Sequence, residues 1–189
     1  MCIRDSLRLT TTGLHMAISR FKRMNAPFIV AVNGTAAGAG FSIAISGDLV
    51  FSSDSARFTV AYTKIGVSPD GGSTWMLPRI VGEKKAMELM LLNPVLKAEE
   101  ALQLGLISRI YPGADLHEES FKVACQLSAG PSLAFGETKR LLADSSVNSI
   151  EHQLELETRA IAGLARYSKD TKEGIGSFIE KRAPEFKGE

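Results

Sequence analysis

Apolar residues recur at helical spacing at Leu14, Ile18 and Phe21 within TGLHMAISRFKRM, and predict a helix over residues 12–24. Asn25-Ala26-Pro27 stops it, because proline disfavours helical backbone at the residue before it. Phe28 to Val32 (FIVAV) is a short unbroken apolar run, the pattern of a strand buried on both faces. Asn33-Gly34 turns the chain out of that strand. Small residues from Gly38 onward lead into FSIAISG, a short helix closed by Gly47. Asp48 to Ser52 and Arg57 to Val60 read as two more strands. Pro69-Asp70 reads as a helix start with Asp70 at or near the N-cap, the helix running toward Met76 and stopping near Pro78.

Glu83 to Leu92 is helical in pattern, as is Leu96 to Gly105, where glycine closes the helix. Leu106 to Tyr111 alternates as a strand does. Beyond Pro112 the pattern is helical to the end, over 115–129, 132–143 and 150–167. Asp170-Thr-Lys-Glu173 resembles a capping box opening a last helix through Lys181. The fold class is therefore α/β, followed by a region of helices alone. Residues 12–112 form the first part and 113–189 the second. Residues 1–11 are expected to be a non-native or disordered start, since MCIRDS fits no nameable element. The C-terminal helices carry many apolar positions, which must pack on this chain or on a neighbouring subunit.

Composition narrows the field. A chain of 189 residues supports one ordinary domain with a real core. Its net charge of +1 gives no pull toward nucleic acid or an anionic membrane surface. Every apolar stretch is broken well short of a membrane span, and the polar N-terminus has no signal-like apolar run. Cytoplasm is the default compartment. Cys2 and Cys125 have no spacing that implies a metal site or a disulfide framework, and Cys125 reads as a small core residue.

The chemistry lies in NGTAAGAGFSIAISGDLVFSSDSARF and VSPDGGSTWMLPR. A strand, a loop and a helix beginning near Gly38-Ala39-Gly40 direct first-turn N–H groups at one spot. Those groups have no partner within the helix, and the helix dipole favours negative charge there. Small side chains let a ligand approach them, as in an oxyanion hole built from main chain. Two other readings compete. Gly38-Ala39-Gly40-Phe41-Ser42-Ile43 begins a dinucleotide-binding GxGxxG but has Ile at the third glycine, with Asp54 as the ribose acid. The stretch also reads as a plain glycine-rich crossing from strand to helix.

These motifs together, with LKAEEALQLGLISRIYP and EGIGSFIEKRAPEFKG downstream, resemble the crotonase superfamily, the enoyl-CoA hydratase/isomerase proteins. The likeness is greatest to the phenylacetate-pathway isomerases of ring-epoxide and enoyl-CoA thioesters. It implies a ββα spiral core, present in part here, and a helical C-terminal region that builds trimers, often paired into hexamers. It implies an acyl-CoA ligand and no cofactor beyond the coenzyme A of the substrate. The thioester oxygen would be held by two backbone N–H groups, one of them that of Ala39. The other would come from a loop ahead of Phe28 for which this sequence offers no candidate, so the chain is expected to lack the family's N-terminal part.

Hydratases of the family use two glutamates, which would fall at Ser42 and Tyr62. Neither is acidic here, and Asp70 remains as the acid. One carboxylate suffices for isomerisation, removing a proton next to a carbonyl and returning it on the same face. Apolar Phe41, Trp75 and Met76 beside it would raise its pKa by desolvation. The resemblance assigns Ala37, Gly38, Gly40, Tyr62, Pro69 and Trp75 to the substrate pocket, and Phe178 and Lys181 to coenzyme A. Bland readings stand beside these: Asp70 as an N-cap, Tyr62 and Trp75 as core aromatics, and Lys181 as a solvated helix end. His15, His117 and His152 read as surface or satisfied helix positions. Glu99, Glu100, Glu118 and Glu119 read as solvated helix faces. The alternatives to an isomerase are an enoyl-CoA hydratase-like enzyme, a non-catalytic CoA-binding assembly fragment, and a dinucleotide-binding domain.

Overall fold

The structure is a computed structural model that describes residues 2–189. Contacts divide the chain into two compact units. One comprises the chain up to Phe21 with Phe28–Phe121, the other Lys22–Pro27 with Lys122–Glu189.

The first unit opens with α1 (Ile3–Arg23), which buries Ile18. The helix begins well before residue 12, so the expected irregular start is helical from Ile3 onward. Its threonine run is compatible with a helix because the hydroxyls donate back one turn, Thr10 to the Ser6 carbonyl at 3.0 Å and Thr12 to that of Arg8 at 2.7 Å. After the turn at Pro27 come β1 (Ile29–Val32), β2 (Thr35–Ala37), α2 (Ala39–Ile45), β3 (Leu49–Ser53) and β4 (Arg57–Thr59). A 3-10 turn at Thr63–Ile65 follows, then α3 (Ser73–Val81), α4 (Glu83–Leu92), β5 (Leu96–Lys97), α5 (Ala98–Gln103), β6 (Arg109–Tyr111) and α6 (Leu116–Ser128), which runs on into the second unit.

The strands form two small sheets. One is parallel in the order β1-β3-β6, with Val30 opposite Val50 and Ser52 opposite Ile110. The other has the order β2-β4-β5, in which β2 and β4 are parallel and β4 and β5 antiparallel. Phe41, Phe58, Leu77 and Val60 fill the space among these elements.

Strand β2 was read as loop, because Thr35-Ala36-Ala37 lacks the apolar run that marks β1; backbone pairing with β4 makes it a strand. Helix α3 starts at Ser73, after Gly72 in the left-handed region, and Asp70 does not cap it with its side chain. Pro78 lies inside α3 rather than ending it. Leu96–Lys97 pairs with β4 before α5 begins. Glu100 is more than a solvated face, since its carboxylate reaches back one turn and accepts the Lys97 N–H at 2.7 Å at the start of α5.

In the second unit, the end of α6 is followed by α7 (Ser132–Ser145), α8 (Ile150–Tyr167) and α9 (Lys169–Glu180). Ser149 caps α8 through the His152 N–H. Ser168 caps α9, in place of the box expected at Asp170. The Asp170 carboxylate instead accepts the N–H groups of Lys187 and Gly188, both at 2.8 Å, and fastens the C-terminal stretch to the start of α9. Cys125, read as a core residue, is exposed, because α6 turns only Leu116 and Ser120 fully inward. Among the described residues, no helix is long and apolar enough to cross a membrane.

Candidate active site

Helix α2 begins at Ala39, with Gly38 as its N-cap at φ 54° and ψ −124°. That positive φ suits glycine, which has no Cβ to collide with the backbone. As the first helical residue, Ala39 has no carbonyl partner for its N–H inside the helix, and the same holds for Gly40. Ala37, Ala39 and Gly40 are exposed, and a Cβ built on Gly40 meets nothing within 4 Å, so the approach to these donors is open.

A hydrogen-bonded turn ties this corner to the acidic loop. Gly38 N–H donates to the Val60 carbonyl at 3.2 Å, and Tyr62 N–H donates to the same oxygen at 2.9 Å. The second bond spans two residues around Ala61, which adopts φ 62°. An L-residue there is strained, so the surrounding bonds hold the turn against its own preference. From the turn, the Tyr62 side chain reaches the acid, and its phenol O–H donates a short bond to Asp70 Oδ1. Ser42, fully buried on α2, lies 3.0 Å from the Tyr62 hydroxyl and donates to the Asp70 carbonyl at 2.9 Å. The Asp70 side chain remains 24% exposed, so a ligand can reach it.

The loop closes on Gly71, at φ 61°. A Cβ there would sit 2.7 Å from Ser42 Cβ and 3.5 Å from Ile18 Cδ1. Gly71 N–H donates to His15 Nε2 at 3.1 Å, and the same nitrogen lies 3.9 Å from Asp70 Oδ2. While Nε2 accepts the amide hydrogen, that nitrogen has no hydrogen of its own to donate to Oδ2. His15 was read as an ordinary helix position; spacing within α1 gave no sign of a partner 56 residues away.

Burial, reinforced by the Asp70 carboxylate, pushes the Tyr62 phenol up from an ordinary 10.0 to about 12. The folded protein therefore holds a proton that the unfolded chain releases sooner. Stability is expected to fall as pH rises from 10.0 to about 12, where unfolding releases that proton. Tyr62→Phe is expected to remove this part of the alkaline loss. Denaturation midpoints below and inside that window, compared between the two proteins, check it.

The remaining predicted residues lie as follows. Pro69 is half-buried beside Asp70. Trp75 stands 46% exposed on α3, with the Arg79 guanidinium 3.8 Å above its ring. Phe41 and Met76 are buried. In the second unit, Phe178 is 84% exposed and Lys181 is the left-handed C-cap of α9. A groove of about 700 Å³ between α7 and α8, lined by Leu141, Leu154, Ile161 and Leu164, contains none of the predicted residues.

A dinucleotide site does not fit this geometry: β2 intervenes between β1 and α2, and Ile43 occupies the third glycine position. Residues 6–189 match the model of the enoyl-CoA hydratase/isomerase family, and the chain belongs to that family. Its fold is of the crotonase type. It superposes on an enoyl-CoA hydratase from a Polaromonas species with a TM-score of 0.91 at 32% identity, covering 98% of this chain and 72% of the other. It is 39% identical to the 1,2-epoxyphenylacetyl-CoA isomerase of Escherichia coli over 90% of its own length. It is 42% identical to a probable enoyl-CoA hydratase of Rhodobacter capsulatus over 86% of its length. The chain spans 65% and 63% of those two relatives.

Proposed function

We propose that this chain carries the acid side of an acyl-CoA isomerase acting on an enoyl- or ring-epoxide-CoA thioester. The observation that carries the proposal is the combination at one corner of the fold: Tyr62 bonds Asp70 Oδ1, and Ser42 bonds the Asp70 carbonyl. The two positions that hold glutamates in the family's hydratases thus serve here to hold Asp70. With Oδ1 engaged, Oδ2 is the working oxygen. For an enoyl thioester, Oδ2 takes the proton from the carbon next to the carbonyl. The electron pair moves into a dienolate with its charge on the thioester oxygen. Oδ2, whose proton exchanges in part with solvent, then protonates the far carbon of the original double bond as the new one forms next to the carbonyl. Ala39 N–H stabilises that oxygen as its charge grows, a donor worth about 3–4 kcal/mol of barrier in comparable sites.

The E. coli relative's name supports a ring-epoxide acyl group. Pro69, Trp75 and the small residues Ala37, Gly38 and Gly40 would border the acyl chain. Lys181 and Phe178 would contact coenzyme A, the lysine as a point charge on phosphate. Exposed Leu142, Ile161 and Ile179 in the second unit support self-association into a trimer or hexamer.

Incubation with a 3-enoyl-CoA in heavy water tests this reading. Deuterium entering the substrate together with double-bond migration supports it, and no migration there combined with addition of water to a 2-enoyl-CoA overturns it in favour of hydration. Thermal stabilisation by CoA thioesters without any exchange leaves a non-catalytic assembly module instead.

A further inference from the structure

We infer that His15 is a positioning residue for Asp70, acting through the Gly71 amide. The inference rests on the reading of Asp70 as the proton shuttle. The Asp70–Gly71 segment is held at several points. Tyr62 holds Oδ1, and the hydroxyls of Ser42 and Ser73 both donate to the Asp70 carbonyl, at 2.9 and 2.8 Å. The Gly71 N–H is held by His15 Nε2. That last contact comes from α1, an element otherwise remote in sequence from the loop.

Gly71 is buried and left-handed, so its amide needs an acceptor that reaches in from outside the turn. Helix α1 supplies one. Ile18, one turn along from His15 and the buried residue of that helix, faces the same glycine. The pair seats α1 on the loop, with Ile18 giving packing and His15 giving direction. An imidazole at this place supplies the acceptor that an apolar side chain lacks. It fixes the plane of the Asp70–Gly71 peptide, and its unprotonated Nε2 faces Oδ2 at 3.9 Å without donating to it. Oδ2 is thereby left for the substrate proton.

The test uses the full chain with His15→Leu and His15→Gln. Leucine fills the space without an acceptor, whereas the glutamine amide oxygen restores one. With His15→Leu, Gly71 amide exchange is expected to speed up about tenfold, the equivalent of one lost hydrogen bond. The NMR shift of the Asp70 carboxyl carbon is expected to move. In the 3-enoyl-CoA assay, kcat is expected to fall about ten- to a hundredfold with KM within about twofold, as a misplaced group requires. His15→Gln is expected to recover most of each change. Unchanged Gly71 protection in His15→Leu, or a glutamine variant no better than leucine, overturns the inference.

If the wild-type chain shows no exchange of substrate protons, the isomerase reading fails by itself, and the Gly71 and Asp70 signals still decide the role of His15. Should the leucine variant not fold, the imidazole nitrogen spectrum of the wild type decides. A ring protonated on Nδ1, with Nε2 coupled to the Gly71 amide, upholds the inference, and a ring protonated on Nε2 overturns it.

Discussion

Asp70→Asn is expected to slow α-proton exchange of a 3-enoyl-CoA by about 10²–10⁴-fold, the range lost when a positioned acid–base group is removed. The substitution suits the question because it changes little else. Asparagine keeps a side-chain oxygen able to accept the Tyr62 hydroxyl, and the Asp70 carbonyl held by Ser42 is main chain and stays. Stability and KM are therefore expected to hold while kcat falls, the pattern of an interaction made in the transition state. Exchange at the wild-type rate would remove Asp70 from the chemistry, and a collapse in stability would show that the carboxylate is chiefly structural.

Gly71→Ala is expected to be the most damaging small change near the site. The new Cβ would lie 2.7 Å from that of Ser42, on a residue held at φ 61°. The left-handed backbone costs an alanine about 1–2 kcal/mol, and overpacking adds about 1–3 kcal/mol. Ser42 cannot yield freely, because its hydroxyl holds the Asp70 carbonyl and neighbours Tyr62. Displacing it moves the carboxylate, so activity is expected to fall together with stability. Gly72→Ala is the control. Its φ is 74°, but an added Cβ meets only the flexible end of Met76, at 3.5 Å. Denaturant midpoints of the two variants separate collision from backbone strain, and equal losses would mean that Ser42 gives way after all.

Much of the first unit was legible before folding was considered. FIVAV announces β1 as a strand, but the strand is not covered on both faces as the unbroken apolar run implies: Val32 is buried, Ile29 and Val30 are half-buried and Ala31 is exposed. Glu83–Leu92 reads as a helix by its spacing and is one. The edges were less legible. Asp70 looked like a cap because short acids favour caps locally, but a phenol eight residues back competes for its carboxylate. Pro78 looked like a stop, yet α3 continues through it to Val81.

The sequence alone determined which chemistry is available. It provides an acid beside glycines, neutral residues at Ser42 and Tyr62, and a helix start with small side chains, and no later contact changes those identities. Only the tertiary structure decided how they are used. Tyr62 bonds Asp70, Ser42 supports it from α2, and His15 arrives from a helix 56 residues away. Side-chain type and spacing govern local structure. A hydrogen bond between distant residues exists only once packing has brought its two atoms to within about 3 Å.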